Sequence, residues 1–207
     1  MGKNLKRGFL ITFEGAEGSG KSTQIRFATR HLKERGYSVV VFREPGGTKT
    51  GEAIRKILLD KDLEEMRIET ELLLYLAARA QLVREKIEPA LKQRKIVILD
   101  RYEDSTLAYQ GFGGGIPLRL IQEFSRFVRG SFIPSLTFVL DIDTSLGLRR
   151  SGRNDRIERK PASFHQKVRR GFLQLARTDP GRYVILSTRE SVAEVRRKIT
   201  QTLDAIF

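Results

Sequence analysis

The chain has 207 residues, 40% of them hydrophobic and 31% charged, and this composition excludes a disordered, collagen-like or membrane-embedded protein. The lack of cysteine excludes disulfides, thiolate zinc sites and a cysteine nucleophile, and it fits a reducing compartment. Thirty-nine Lys and Arg against 25 Asp and Glu give a net charge of +14, so we expect an anionic partner: nucleic acid or a phosphate-bearing small molecule.

The length predicts one compact domain over residues 1–207, and no repeat or linker divides it. A basic start leads into an apolar run that meets Glu14 before a secretory core could form. We therefore expect a cytoplasmic protein with no membrane partner.

Apolar runs and amphipathic stretches alternate along the chain, which is typical of an α/β fold with a parallel sheet of about five strands and helices on both faces. The predicted strands are 9–14, 39–42, 96–100, 136–141 and 183–187. Helical patterns cover 21–35, 51–59, 68–93, about 117–130, about 144–178 and about 191–206. Pro89 is predicted to kink or divide the third helix, and the glycine-rich stretch 111–117 is predicted to be a loop.

A second glycine-rich stretch directly follows the first predicted strand. Its sequence, GAEGSGKS over residues 15–22, satisfies the pattern G-x-x-x-x-G-K-[ST] and opens onto a helix. The glycines let backbone N–H groups converge on an anion, and Lys21 and Ser22 add a cation and a Mg²⁺-binding hydroxyl. The stretch predicts a polyphosphate-binding loop made of Gly15, Ala16, Glu17, Gly18, Ser19, Gly20, Lys21, Ser22 and Thr23.

Asp100 closes the third predicted strand, at the edge where open parallel sheets bind ligands. With Ser22 it is predicted to hold Mg²⁺ beside the phosphate loop. The chain has no N-K-x-D motif, which disfavours a GTPase. His31 lies in a predicted helix and His165 in the basic region, so both are expected on the surface. Neither is expected to be a catalyst, because phosphoryl transfer needs positioned cations more than a histidine base.

Three further stretches are expected where a second substrate would bind. They are Arg43-Glu44-Pro45-Gly46-Gly47-Thr48, the pair Tyr75 and Arg79, and the segment from Asp100 to Gly111. At i and i+4 the Tyr75 ring and the Arg79 fork share a helix face, so both can reach one planar ligand. For Tyr75 alone, ordinary core packing is the alternative interpretation.

These motifs together resemble those of the thymidylate kinase family, whose members make dTDP from dTMP and ATP. FEGAEGSGKSTQ, REPGGT, LAAR, DRYEDSTLAYQG and DRIE occur in the family's order and approximate spacing, over nearly the whole chain. The resemblance implies a P-loop nucleoside monophosphate kinase core, usually dimeric, with a short mobile lid at about residues 149–160. It also implies direct in-line transfer of the γ-phosphoryl group of ATP, with Mg²⁺, in dTTP synthesis.

The resemblance assigns roles to individual positions. Gly15 to Ser22 would hold the ATP phosphates, and Glu17 would lie near the sugar 3′-hydroxyl of dTMP. Arg43 and Arg101 would hold the acceptor phosphate, with Glu44 and Pro45 beside it and Arg55 as a further contact. The base pocket would comprise Tyr75 stacked on thymine, Arg79 and Gln110 at the base edge, and Ser105, Thr106 and Tyr109 along its wall.

The resemblance also gives the basic segment a role. Residues 149–170 carry nine basic and two acidic side chains. Some family members have a basic residue within the phosphate loop, whereas others have glycine there and place the cation in the lid; Gly18 puts this chain in the second group. At least one lid arginine would then reach the transferring phosphoryl group, with Arg149, Arg150, Arg153 and Arg156 as candidates. Glu158 would lie near Mg²⁺ or the lid hinge.

Two other interpretations stay open on the sequence alone. A related kinase could take a different acceptor, such as dUMP or CMP. A nucleic-acid-binding protein could use the net charge to grip phosphate backbones, although no such binding motif is present and the charge concentrates near the expected lid. We therefore expect no nucleic-acid partner.

Overall fold

The computed structural model describes residue 3, residues 5–152 and residues 154–207. The strands are β1 Phe9–Glu14, β2 Val39–Arg43, β3 Ile96–Asp100, β4 Leu136–Asp141 and β5 Tyr183–Ser187. The helices are α1 Lys21–Glu34, α2 Lys49–Leu59, α3 Ile68–Leu82, α4 Glu88–Lys92, α5 Glu103–Thr106, α6 Leu118–Arg129, α7 Thr144–Ser151, α8 Ala162–Thr178 and α9 Val192–Ile206, with π-helical turns at Val83–Ile87 and Leu107–Gly113.

Within the described residues the five strands form one parallel sheet in the order β2-β3-β1-β4-β5. The register pairs both Phe13 and Arg43 with Asp100, so β1, β2 and β3 end at the same edge. The segments that follow these three strands therefore meet there, as expected for an open α/β sheet. The predicted fold class is confirmed.

Both faces of the three central strands, β1, β3 and β4, are buried, which explains why these strands read as continuous apolar runs. Ile11 and Phe13 of β1 belong to the core on the side of α1 and α9. Leu10, which precedes Ile11 and so faces the other side of the strand, packs with Leu82 and Ile87. The sheet is thus a rigid platform for the loops at its carboxyl edge.

Two of the predicted boundaries are wrong. The stretch 111–117 is not wholly a loop, because the π-helical turn runs through Gly113. A Cβ added at Gly113 would lie 2.6 Å from the Phe164 ring, so this glycine permits close helix packing. The pattern over 144–178 is two helices, since α7 ends before Gly152 and α8 begins after Pro161.

The predicted break near Pro89 is confirmed: α3 passes through the π-helical turn Val83–Ile87 into α4, which carries the proline in its first turn. None of the helices described is both long enough and apolar enough to cross a membrane.

Candidate active site

The phosphate loop lies between β1 and α1, where the sequence predicts it. Lys21 is 8% exposed, and its ammonium group donates to the carbonyl oxygens of Gly15 and Ala16 at 2.9 and 3.0 Å and to the Ser19 hydroxyl at 3.3 Å. Burial, assisted by the Arg101 charge, lowers the pKa of Lys21 to about 8. The loop thus positions a cation whose desolvation an incoming phosphate would offset.

Helix α7 packs closely against the tip of this loop. Gly18 has a φ of +66°, and a Cβ there would lie 2.0 Å from the carbonyl oxygen of Gly147. A Cβ on Gly147 would in turn lie 2.5 Å from the carbonyl oxygen of Glu17. Two backbones therefore meet where neither residue has a side chain, and the loop tip is joined to the start of the predicted lid.

An open cavity of about 970 Å³ lies over the phosphate loop. Ser22 and Asp100 both line it, and the Ser22 hydroxyl donates to Asp100 Oδ2 at 3.3 Å. A hydroxyl and a carboxylate are oxygen ligands that suit Mg²⁺, which keeps several waters and phosphate oxygens of its own. The pair therefore fits the predicted metal site.

A second cavity of about 560 Å³ adjoins the first. It is lined by most of the residues predicted for the acceptor. They are Glu17, Glu44, Pro45, Arg55, Tyr75, Arg79, Arg101, Ser105, Thr106, Tyr109 and Gln110. Tyr75 and Arg79 both face this cavity, as their i, i+4 spacing predicts.

Glu17 and Arg101 stand where the two cavities join. Glu17 Oε1 accepts from Arg101 at 3.1 Å and from the Tyr109 hydroxyl at 2.5 Å. Burial raises the pKa of Glu17, but the Arg101 and Lys21 charges outweigh it and hold the pKa below its usual value. The junction therefore carries a fixed anion and a fixed cation.

Arg101 itself is held in an uncommon backbone conformation. Its φ is +73°, which costs a residue with a side chain about 1 kcal/mol or more. Its guanidinium donates to the Gly15 carbonyl at 3.0 Å and to the Ser105 hydroxyl at 3.1 Å. The surrounding contacts thus impose a strained backbone that turns this arginine into the site.

A buried ion pair crosses the floor of the second cavity. Arg79 is 1% exposed, and it donates to Glu44 Oε2 from Nε at 2.8 Å and to the Thr106 hydroxyl at 2.8 Å. Its Nη1 is buried and has no hydrogen-bond partner among the described residues. The side chain is therefore fixed while one donor remains for a ligand.

Arg43 is placed differently from the other predicted acceptor residues. It lines the cavity over the phosphate loop and is absent from the lining of the second one. Its side chain is 56% exposed and pairs with Glu52 at 2.9 Å. Arg55 lines both cavities and donates to the Pro45 carbonyl at 2.9 Å.

Comparisons with known proteins agree with this geometry. A family model described as thymidylate kinase matches residues 13–199. A thymidylate kinase of Deinococcus radiodurans is 43% identical over 198 residues, covering 94% of this chain and 96% of the relative. One of Halothermothrix orenii is 45% identical, covering 93% and 95%. The crystal structure of thymidylate kinase from Ehrlichia chaffeensis superposes with a TM-score of 0.78 at 34% identity, covering 95% of this chain and 98% of that one.

The chain belongs to the thymidylate kinase family. It is therefore a kinase that acts on a nucleotide, and its sheet is the P-loop nucleoside monophosphate kinase fold.

In this member of the thymidylate kinase family, the three candidate arginines of the predicted lid that the structure describes differ in their surroundings. Arg150 lines the cavity over the phosphate loop, whereas Arg149 is exposed and is not part of that lining. Arg156 is 3% exposed, donates to the Leu58 carbonyl at 3.0 Å and pairs with Glu71 at 2.6 Å. These contacts favour an anchoring role for Arg156. Arg153, the fourth candidate, lies outside the described residues.

Glu158 accepts a hydrogen bond from the hydroxyl of Ser151, the last residue of α7. The bond thus ties the end of α7 to the segment that leads to α8. This contact favours the hinge among the two positions that the resemblance allows for Glu158.

Several supporting residues were not predicted. Leu59, Asp155 and Ile157 also line the second cavity, together with Tyr102, which lies in the predicted acceptor segment but was given no role of its own. Glu14, at the end of β1, accepts from the Tyr102 N–H at 2.7 Å and from the Ser105 hydroxyl at 2.6 Å. Glu14 stands within the FEGAEGSGKSTQ motif, and Asp155 and Ile157 stand within DRIE. Membership of these motifs is the signal that could have indicated them.

The surface position expected for His165 is wrong. Its side chain is 1% exposed, and its Nδ1 lies 3.7 Å from Glu17 Oε2.

Proposed function

We propose that this chain phosphorylates dTMP to dTDP by direct in-line transfer of the γ-phosphoryl group of ATP, with Mg²⁺, as a step in dTTP synthesis. The observation that carries the proposal is the junction of the two cavities, which share Glu17, Glu44, Arg55 and Arg101 as lining residues. Two nucleotides in these cavities would bring their phosphates together at this junction. We infer the identity of the acceptor, dTMP, from the name thymidylate kinase that the relatives carry.

On the donor side, the loop amides and Lys21 hold the ATP phosphates. Ser22 and Asp100 would hold Mg²⁺, which when bound offsets negative charge on the phosphate oxygens. Residues 149–160 act as a lid, in which Arg150 and the predicted Arg149 and Arg153 supply positive charge over the transferring group. Fixed cations at developing negative charge are what this reaction needs from a protein.

On the acceptor side, Arg101 holds the dTMP phosphate at the junction, with Arg43 and Arg55 beside it. Arg79 Nη1 and the Gln110 side chain face the base edge, and the Tyr75 ring stacks on the base. Tyr109, bonded to Glu17, stands beside the sugar. Ser105 accepts a hydrogen bond from Arg101 and so holds it in place. Thr106 and Glu44 accept hydrogen bonds from Arg79 and hold that side chain in the same way.

A homodimer and a cytoplasmic location remain predictions. The exposed apolar residues of the described chain include Ile57 on α2, Leu73 on α3 and Phe124 and Phe127 on α6, and α3 packs against both of the other two helices. They support pairing of two copies, because monomers rarely expose such side chains in groups. Sedimentation equilibrium measures the assembly directly, and a monomer at all concentrations would contradict it.

The test of the activity is ADP formation from ATP and Mg²⁺ with dTMP, dUMP, CMP, GMP and AMP offered in parallel. We expect a strong preference for dTMP. Turnover with another monophosphate would keep the phosphate chemistry and overturn the acceptor. No turnover with any of them would overturn the proposal.

A further inference from the structure

A buried carboxylate lies behind the acceptor cavity without lining it. Glu71, one helical turn before Tyr75 on α3, is 0% exposed. It pairs with Arg156 at 2.6 Å and with Lys160 at 2.9 Å. Burial raises the pKa of Glu71, but Lys160 and Arg156 outweigh it and hold the pKa below its usual value. The carboxylate is therefore ionised, and an ionised carboxylate only accepts hydrogen bonds.

Glu71 also touches a residue that does line the cavity. Gln110 donates from Nε2 to Glu71 Oε1 at 2.7 Å, and its side chain is 1% exposed. An amide has one donating and one accepting end, and rotation by 180° exchanges them. Because Glu71 cannot donate, it holds the amino end of Gln110 and leaves the carbonyl oxygen for another partner.

The other base-facing group has the opposite polarity. Arg79 lines the same cavity, and its buried Nη1 is a donor without a partner among the residues the structure describes. One donor and one acceptor together match a base edge that has a carbonyl beside a ring N–H, as thymine has. Cytosine presents an amino group beside a bare ring nitrogen, so its edge would meet both groups with the wrong polarity.

We propose that Glu71 is a positioning residue that fixes the Gln110 amide with its carbonyl oxygen toward the acceptor, and so sets the preference for a base with a ring N–H. This inference rests on the proposed function, because it takes the acceptor to be a nucleoside monophosphate.

The test is the change Glu71→Gln, with kcat/KM measured for dTMP and for dCMP. A single-turnover assay at high enzyme concentration makes slow reaction with dCMP measurable. A glutamine at position 71 can accept or donate, so Gln110 is free to rotate. We expect the preference for dTMP over dCMP to fall at least tenfold. A general loosening of the fold would instead lower both rates alike.

Three variants separate the amide effect from packing. Glu69→Gln, on the exposed face of the same helix, should leave the preference unchanged. Lys160→Gln removes one cation but keeps the carboxylate and Arg156, and it should also retain the preference. Gln110→Leu should abolish the effect of Glu71→Gln, so that the double variant matches Gln110→Leu alone.

If Glu71→Gln destabilises the fold, because it leaves Lys160 and Arg156 without their counter-charge, a second variant restores the charge balance. The double variant Glu71→Gln/Lys160→Gln removes one charge of each sign, so the net local charge stays as in the wild type. An unchanged preference in the Glu71 variants, or one lost equally in Lys160→Gln, overturns the inference. A wild-type protein that does not use dTMP would instead overturn the proposed function.

Discussion

The donor and acceptor sides of the site are built in opposite ways. The phosphate loop is one contiguous segment whose carbonyls and glycines hold Lys21 in place. The acceptor cavity takes its residues from several helices and loops, and buried ion pairs such as Arg79–Glu44 hold them. The first side recognises a group common to all nucleotides, whereas the second must distinguish one base. Selectivity therefore depends on contacts between segments distant in sequence.

The largest expected effect is on the donor side. Replacing Lys21 by Ala removes the one buried cation that the loop itself holds, and turnover should fall at least ten-thousandfold, about 5 kcal/mol or more. Steady-state ADP formation measures it. Lys33→Ala, on the last turn of the same helix, is the control and should retain full activity. Comparable activity in the two variants would contradict the role of Lys21.

The next effect lies on the acceptor side and concerns stability. Glu44→Gln leaves the Arg79 guanidinium buried without its counter-charge, which should lower the free energy of unfolding by about 4 kcal/mol. Urea denaturation measures this loss. The matched control, Glu123→Gln, breaks the pair with Arg119, whose side chain is 90% exposed, and should cause no measurable change. Equal loss in both variants would show that burial does not distinguish the two pairs.

A third prediction concerns Glu14, the buried carboxylate that accepts hydrogen bonds from Tyr102 and Ser105 of the acceptor cavity. Burial and then the nearby Asp104 charge raise the pKa of Glu14 to about 7 from its usual 4.5. The folded state then binds a proton more tightly than the unfolded state, so stability falls as pH rises from 4.5 through 7, by about 3 kcal/mol. Glu14→Gln should reduce this slope, measured by urea unfolding at pH 5 and pH 8. An unaltered slope would assign the dependence to other groups.

The smallest effect returns to the phosphate loop. Because the pKa of Lys21 is lowered to about 8, binding of ATP near that pH should be accompanied by proton uptake. Each pH unit above 8 should weaken ATP binding by up to tenfold. Calorimetry at pH 8 in two buffers of different ionisation enthalpy measures the uptake, and at pH 6.5 it should disappear. Identical heats at pH 8 would contradict the lowered pKa.

The same contrast explains what the sequence could predict. All five strands and the phosphate loop are local patterns of apolar runs, glycines and a lysine. The sequence therefore predicts the strands to within one residue of their bounds and places the loop directly after β1. The contacts of Glu71 with Lys160 join positions 89 residues apart, and Glu14 contacts Ser105 across 91. Charged residues in an amphipathic pattern are expected at the surface. No local signal indicates that these ones are buried, and the same applies to His165.

The contact between Gly18 and Gly147 means that a basic residue at position 18 and a docked helix α7 exclude each other. A side chain at position 18 needs its Cβ moved from 2.0 Å to an ordinary contact distance from the Gly147 carbonyl, so α7 would have to withdraw by about 1.5 Å. While α7 stays docked, a basic residue cannot enter the loop tip, and the positive charge must come from the segment that α7 carries. Replacing Gly18 by Arg would therefore require changes in α7 as well, because the two segments are in direct backbone contact.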